Sequence, residues 1–375
     1  MRRFVFLLTF TVLAFVGSSC TKSSADKKMG DTAQSQQISA SVESTLSLQI
    51  DSTQYFFEGR IGSASQVNAE LLLNSSEMLG SYRYYTGSRA LSLKGSIQAD
   101  NTIQLVERDD LGRGVWEKDT NETVTGRLIG KVQPEQGIIT GTWTSKDGKK
   151  SLPFAFRAVA SFKVLRSATT DVAVTYPVFA HPNFATLNDT LTQMANTDFK
   201  ASCASVDTIR KEMIEELNEK ERVGFISEHS YANVVYAAPN LVSVLWNLDS
   251  YGGGAHGNYG FNAITWKIEN GKPQRVSLAD IFAPDADFPS VLSKLVIANL
   301  KKQEASSVTD GSISSLVDDI LKGNIPFTVH SSGLTFYFAP YYVASYAEGA
   351  FEVHIPWKQL ASVLRKDGVA RSFVL

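Results

Sequence analysis

The stretch DSYGGGAHGNYG, Asp249–Gly260, decides how the C-terminal half of this chain is interpreted. It lies between LVSVLWNL (241–248) and FNAITWKI (261–268), where apolar residues alternate as they do in strands. Its glycines permit positive φ and close backbone approach, and it is longer than a two-residue hairpin turn. The sequence therefore predicts two strands joined by a shaped loop. The side chains that the loop would display are Tyr251, His256 and Tyr259.

The histidine of this loop has three interpretations. The pattern favours a structural turn in which His256 hydrogen-bonds to backbone. A contact with a ligand or protein comes second, and a catalytic or metal-bound histidine comes third. The histidines of the chain show no ligand spacing, so we expect no metal site and no cofactor. They are His181, His229, His256, His330 and His354.

Upstream of this region, residues 50–160 contain eight short alternating segments separated by turn residues. Closely spaced strands without a helical period predict an antiparallel β-meander or small up-and-down barrel, which would leave no exposed edges. A filled barrel or curled sheet acting as a spacer is favoured over a ligand-holding barrel. The segments are 55–61, 67–73, 78–85, 90–97, 102–108, 124–132, 138–145 and 151–159.

Residues 161–375 mix strands with helical patterns and predict an α+β region. A strand at 172–179 precedes a helical stripe that runs from Leu187 to Leu217, as one long helix or two consecutive ones. Further strands and short helices follow to the end of the printed sequence. We expect a domain pair, 161–248 and 249–375.

The N-terminal residues have the pattern of an export signal. Two arginines precede an apolar run, and Gly17-Ser18-Ser19 leads directly to Cys20. We expect residues 1–20 to be a lipoprotein signal peptide whose lipobox ends at a lipidated Cys20, with a plain secretory signal as the alternative. Residues 21–49 are polar and predict a flexible linker. The expected location is a lipid-anchored, periplasm-facing position, with the outer membrane favoured.

The charge balance of the chain argues against a nucleic-acid partner. Its 375 residues carry 36 basic and 38 acidic side chains, for a formal net charge of -2, and no long basic tract appears. We therefore expect no nucleic-acid binding.

Four ordered motifs give the C-terminal half a family resemblance. It resembles the paired domains of unknown function in the extracytoplasmic part of RsiV-type anti-sigma factors and alongside PdaC-type peptidoglycan deacetylases. The resemblance covers roughly residues 165–365. The matching residues are Tyr251, Gly253, Gly254, Ala255, His256 and Gly257; Leu278, Asp280, Ile281 and Phe282; Phe338, Pro340, Tyr341, Tyr346 and Gly349; and Ile355, Pro356 and Leu360.

The resemblance implies binding more than catalysis. RsiV-type ectodomains bind lysozyme, and in the deacetylases the catalytic domain is separate. We therefore expect a lipid-anchored, non-catalytic binding module for a lysozyme-like protein or for peptidoglycan, with no catalytic residues. The alternatives are an enzyme acting on cell-wall polysaccharide, with His256 as base and Asp249 or Asp280 nearby, and a structural envelope scaffold. The candidate binding residues are Tyr251, Gly253, Gly254, His256, Gly257, Tyr259, Tyr341 and Tyr346.

Overall fold

The computed structural model describes residues 46–85, 90–109, 123–215 and 223–374. The predicted signal peptide, Cys20 and most of the predicted linker lie outside these residues, so lipidation stays a prediction. In the described ranges, no helix has both the length and the apolar character that a membrane crossing requires.

The first eight strands form a closed antiparallel barrel. Each strand pairs with the next, and β1 also pairs with β8, from Tyr55 opposite Ser161 to Ile61 opposite Phe154. The predicted up-and-down barrel is therefore confirmed. The strands are β1 (Asp51–Ile61), β2 (Ser65–Asn74), β3 (Met78–Tyr84), β4 (Ala90–Ile97), β5 (Thr102–Arg108), β6 (Val124–Gln133), β7 (Ile138–Ser145) and β8 (Ser151–Arg166).

Alternating side chains fill the barrel because successive residues of a strand point to opposite faces. In β2, the side chains that point inward are Val67, Ala69, Leu71 and Leu73, and all are buried. One buried carboxylate, Glu107, accepts hydrogen bonds from Trp143 Nε1 at 2.6 Å, from Thr125 Oγ1 at 2.5 Å and from the Tyr82 hydroxyl. The interior is thus a packed apolar core with one hydrogen-bonded acid.

The sheet continues beyond the barrel through its last strand. The end of β8 pairs with β9 (Asp171–Phe179), which lies parallel to β10 (Ser227–Ala238). The sheet then runs antiparallel through β11 (Leu241–Tyr251), β12 (Asn258–Glu269) and β13 (Lys272–Arg275). Strand β8 runs across the expected domain boundary at residue 160, and β11 runs across the one at residue 248. Both boundaries stay predictions.

One long helix covers a single face of this extension. The predicted apolar stripe from Leu187 onward lies on one unbroken helix, α1 (Ala185–Glu215). The end of the predicted stripe falls in residues 216–222, which are outside the described ranges. Its buried Leu187 and Leu191 pack with even-numbered residues of the sheet such as Val244 and Trp246. The opposite face of the sheet bears odd-numbered residues and is not covered by α1.

A smaller layer completes the α+β region. Its helices and three-stranded antiparallel sheet enclose the core around Leu292, Phe336 and Val353. The predicted fold class, a barrel or meander followed by an α+β region, is confirmed. The elements are α2 (Leu278–Ile281), α3 (Phe288–Lys302), α4 (Ser306–Thr309), α5 (Leu316–Leu321), β14 (Phe327–His330), β15 (Gly333–Phe338), β16 (Phe351–Pro356) and α6 (Trp357–Leu360).

Candidate functional site

The glycine loop is the turn of a long hairpin. Strands β11 and β12 extend further than their apolar alternation indicates, so the loop is reduced to residues 252–257. The Tyr251 hydroxyl donates to Gly254 O at 2.9 Å and braces the loop from within. At Gly253, φ is 92° and an added Cβ would lie 3.0 Å from Met213 Cε, so a side chain there would be strained and crowded.

Four aromatic side chains meet beside this loop, and we call them the aromatic platform: His256, Tyr259, Tyr341 and Tyr346. The His256 and Tyr346 rings stack with centroids 3.9 Å apart and an interplanar angle of 22°. The ring centroid of Tyr346 also lies 5.4 Å from that of Tyr341 and 6.0 Å from that of Tyr259. Residues 85 positions apart in the sequence, His256 and Tyr341, therefore form one surface.

Hydrogen bonds fix the orientation of the rings. The carbonyl oxygen of Gly257 accepts from the Tyr346 hydroxyl at 2.6 Å and lies 2.9 Å from His256 Nδ1. A carbonyl can only accept, so Nδ1 carries the proton in this arrangement. In the neutral tautomer, Nε2 is then free to accept from the Tyr341 hydroxyl, 3.4 Å away. The backbone of the loop thus sets the tautomer of the histidine.

Tyr341 is held in a conformation that its side chain disfavours. Its φ is 69°, in the left-handed region, where a residue with a Cβ costs roughly 1–2 kcal/mol. Its side chain is also 63% exposed, so burial does not offset this strain. Local strain of this kind clusters at functional sites, and the observed outlier supports a binding role for the exposed ring.

The two acids considered as partners of His256 have other contacts. Asp249 hydrogen-bonds to His229, and Asp280 accepts from Ser277 N at 2.9 Å and from Ser277 Oγ at 2.6 Å. Across the described ranges, no carboxylate hydrogen-bonds to His256. The structure therefore does not assemble the acid–base pair that the enzyme hypothesis needs at this histidine.

Much of the matched sequence pattern serves packing. Leu278, Ile281 and Phe282 are almost fully buried, while Asp280 joins Ser277 in a capping box at the start of α2. From the motif that contains Phe338, the members that belong to the aromatic platform are the exposed Tyr341 and the half-buried Tyr346. The eight predicted binding residues thus divide into the platform, the bracing Tyr251 and the backbone positions 253, 254 and 257.

Sequence reasoning missed a cleft of about 800 Å³ between the barrel and the α+β region. One wall is the outer face of β2 and β3, and the other is the odd-numbered face of β10, β11 and β12. Tyr259 lines the cleft and also belongs to the aromatic platform, so the two features are continuous. The available signal was the polar or aromatic character of alternate residues at 229, 231 and 233 and at 247 and 249.

A histidine between two carboxylates lies at the edge of this cleft. His229 Nδ1 is 3.0 Å from Asp249 Oδ2, and Nε2 is 3.0 Å from Asp171 Oδ1. The hydrogen bond to Asp249, and then that to Asp171, raises the pKa of His229 against the opposing effect of burial. Three strands are thereby joined through one imidazole.

The barrel wall contributes an acid with altered protonation. Burial raises the pKa of the Glu70 carboxyl to about 8, although the Gln54 side-chain amide donates to it. Glu70 is therefore mostly neutral near pH 7. Within the ranges that the structure describes, no group of three or more metal-ligating side chains is arranged to hold an ion.

Two families match consecutive parts of the α+β region. Residues 165–259 match the family "Deacetylase PdaC", and residues 279–358 match the family "Protein of unknown function (DUF3298)". The predicted resemblance to the domains found with PdaC-type deacetylases is confirmed, because both family models match this chain. The RsiV-type relationship stays a prediction. Both matches lie C-terminal to the closed barrel.

A curated relative and two solved structures each show similarity over somewhat more than half of this chain. Peptidoglycan-N-acetylmuramic acid deacetylase PdaC of Bacillus subtilis (strain 168) is 24% identical over 204 residues, which are 54% of this chain and 41% of that protein. The chain thus spans about two fifths of that relative. A DUF3298 family structure from Bacteroides fragilis NCTC 9343 is 19% identical, with a TM-score of 0.41, and covers 57% of this chain and 97% of its own. Another DUF3298 family structure, from Pseudomonas aeruginosa PAO1, is 18% identical, with a TM-score of 0.32. The match covers 55% of this chain and 92% of that one.

Proposed function

We propose that this chain is a cell-envelope protein that binds cell-wall glycan through the aromatic platform. The observation that carries the proposal is the strained, exposed Tyr341 ring beside the His256–Tyr346 stack. The name of the curated relative supplies the ligand class, since that protein is a peptidoglycan deacetylase. Binding, without turnover at this surface, is the role that the platform supports.

The platform has the physical properties of a sugar-binding surface. Aromatic side chains combine a large apolar face with a polar edge, and they bury much area at low entropic cost. The apolar face of a sugar ring can lie on Tyr341 and His256, while its hydroxyls reach the polar edges. Because the Gly257 carbonyl holds both His256 and Tyr346, little side-chain entropy is lost on binding.

The expected lipid anchor at Cys20 is part of the proposal. An anchored chain with a polar linker at 21–49 would keep the barrel and the platform at the membrane, within reach of the cell wall. A lysozyme-like protein is the competing partner, and tyrosines are also frequent anchors in protein interfaces. The test therefore includes both ligands.

Calorimetric titration of the purified chain with soluble glycan fragments of peptidoglycan tests this proposal. We expect Tyr341→Ala to weaken binding at least tenfold, which corresponds to about 1.4 kcal/mol. Ile129→Ala is the control, because Ile129 is also a large exposed side chain (56%) but lies on the barrel strand β6. If the wild-type chain ignores glycan and instead binds lysozyme through Tyr341, the ligand is a protein and the glycan proposal is wrong.

A further inference from the structure

The cleft between the barrel and the sheet has two ordered walls. On the barrel, the outward residues of β2 and β3 lie opposite each other in register, Asn68 beside Arg83 and Glu70 beside Ser81. On the sheet, three strands align their odd-numbered residues in rows. One row is His229, Asp249 and Tyr259, and the next is Tyr231, Asn247 and Phe261.

These rows extend the aromatic platform inward. Tyr259 contacts Tyr346 of the platform and begins the first row. The second row is the next one along the strands, with Tyr231 and Phe261 on either side of Asn247. Two rings flanking an amide give apolar faces for sugar rings and a donor and acceptor for their hydroxyl or acetamido groups. A chain bound on the platform could therefore continue along the strands into the cleft.

Several polar groups in the cleft have unused hydrogen-bonding capacity. In the part of the chain that the structure describes, no hydrogen bond or ion pair engages the half-buried Arg83 guanidinium or the Asn247 amide. The Oδ1 atom of Asn68, directly across from Arg83, is buried and unpartnered, while its Nδ2 donates to Val235 O at 3.3 Å. Buried polar groups are normally hydrogen-bonded, so the Asn68 oxygen is the position in this wall where a donor from a ligand would be accommodated.

Arg83 gives the cleft a cation that has no carboxylate in contact among the described residues. Asp171 and Asp249 are both engaged by His229, and Glu70 is largely neutral near pH 7. Glu352 lines the cleft and feels the charge of Arg83, but no contact within 4 Å joins them among the described residues. A planar guanidinium that presents several donors is suited to bind a carboxylate bidentately.

We propose that the cleft is a second subsite for a sugar chain that carries carboxylate groups, with Arg83 binding a carboxylate and the Tyr231–Asn247–Phe261 row binding the sugar. This inference rests on the proposed glycan-binding function and extends it by assigning the acidic character of the ligand. In cell-wall glycan, muramic acid residues that have no stem peptide carry such a group on their lactyl ether. The platform by itself has no cation to distinguish an acidic sugar chain from a neutral one.

The test compares two glycans on the full chain by calorimetry. One is a peptide-free oligosaccharide of alternating N-acetylglucosamine and N-acetylmuramic acid, and the other is neutral chitotetraose. The variants are Arg83→Met, which keeps the length of the side chain, Asn247→Ala, and the platform variant Tyr341→Ala. Arg127→Met is the matched control, since Arg127 is exposed on β6 and does not line the cleft.

We expect Arg83→Met to weaken the acidic glycan at least tenfold, with little effect on chitotetraose, and Asn247→Ala to weaken both. Thermal unfolding of each variant separates lost binding from lost folding. If Tyr341→Ala abolishes binding of the acidic glycan while Arg83→Met and Asn247→Ala match Arg127→Met, the platform function holds and the cleft proposal is overturned. If Arg83→Met weakens binding and Tyr341→Ala does not, the cleft is a site and the platform proposal is wrong. Failure of the wild-type chain to bind either glycan overturns both.

Discussion

Replacing His229 with glutamine should remove a pH-dependent connection between strands β9, β10 and β11. Protonated imidazole can donate to Asp171 and Asp249 simultaneously, whereas the neutral ring has only one N–H. Deprotonation therefore leaves one carboxylate facing a nitrogen lone pair. Glutamine can donate from one amide nitrogen, so it cannot reproduce both bonds.

The size of the effect follows from the exposure of the three side chains. A hydrogen bond to a charged group contributes about 1.5–3 kcal/mol, and the half-exposed carboxylates (50% and 48%) reduce that by solvent screening. We expect about 1–2 kcal/mol for the bond that is lost. The pKa of His229 is raised by these bonds, so the contribution is complete below the unfolded-state pKa of about 6.5 and disappears as pH rises through the folded-state pKa.

Urea unfolding of the wild type and of His229→Gln from pH 5 to pH 9 measures this dependence. The difference in unfolding free energy between the two proteins should be largest near pH 5–6 and should decrease toward pH 9. Burial raises the pKa of Tyr231, which packs against the imidazole, so this phenol does not titrate in this range. A difference in unfolding free energy that stays constant from pH 5 to pH 9 would refute the charged hydrogen bonds of His229.

Two further variants test the barrel by urea unfolding. Glu107→Ala leaves three donors without their acceptor and should destabilise the protein by about 3–6 kcal/mol. The control Glu135→Ala changes an exposed residue and should alter stability by less than about 0.5 kcal/mol. Equal effects of the two variants would contradict the role of the buried acid. Gly95→Ala would place a Cβ 1.8 Å from Gln104 O and should lower the free energy of unfolding by about 2–3 kcal/mol. In the control Gly252→Ala, the added Cβ has open space, so stability should hardly change. An unchanged stability of Gly95→Ala would show that the strands separate easily.

Local periodicity was sufficient to predict the barrel strands. In β2 and β5, alternate residues are buried inside a closed sheet, so the two-residue period is directly visible in the sequence. The long helix was also predictable, because one stripe of apolar residues packs on one face of the sheet. The strand ends at Tyr251 and Asn258 were not, because polar residues there continue the ladder through backbone hydrogen bonds that do not depend on side-chain hydropathy.

The candidate site was only partly predictable. The glycine loop stands out from its own residues and the later tyrosines match a family pattern, and the structure brings His256 and Tyr341 together. The cleft was missed because its walls come from strands more than 140 residues apart, such as β3 and β11, and no local period links them. Several matched residues that looked equally informative, including Phe282, turned out to be core.

The sequence by itself determined the strands and helices and the alternation that closes the barrel, because burial repeats at short, regular spacing. Only the tertiary structure decided that Arg83 and Asn247 line one cleft and that Tyr341 is strained beside His256. Strand β8 pairs with β1 in the barrel and with β9 beyond it, and such long-range pairings leave no periodic trace along the chain.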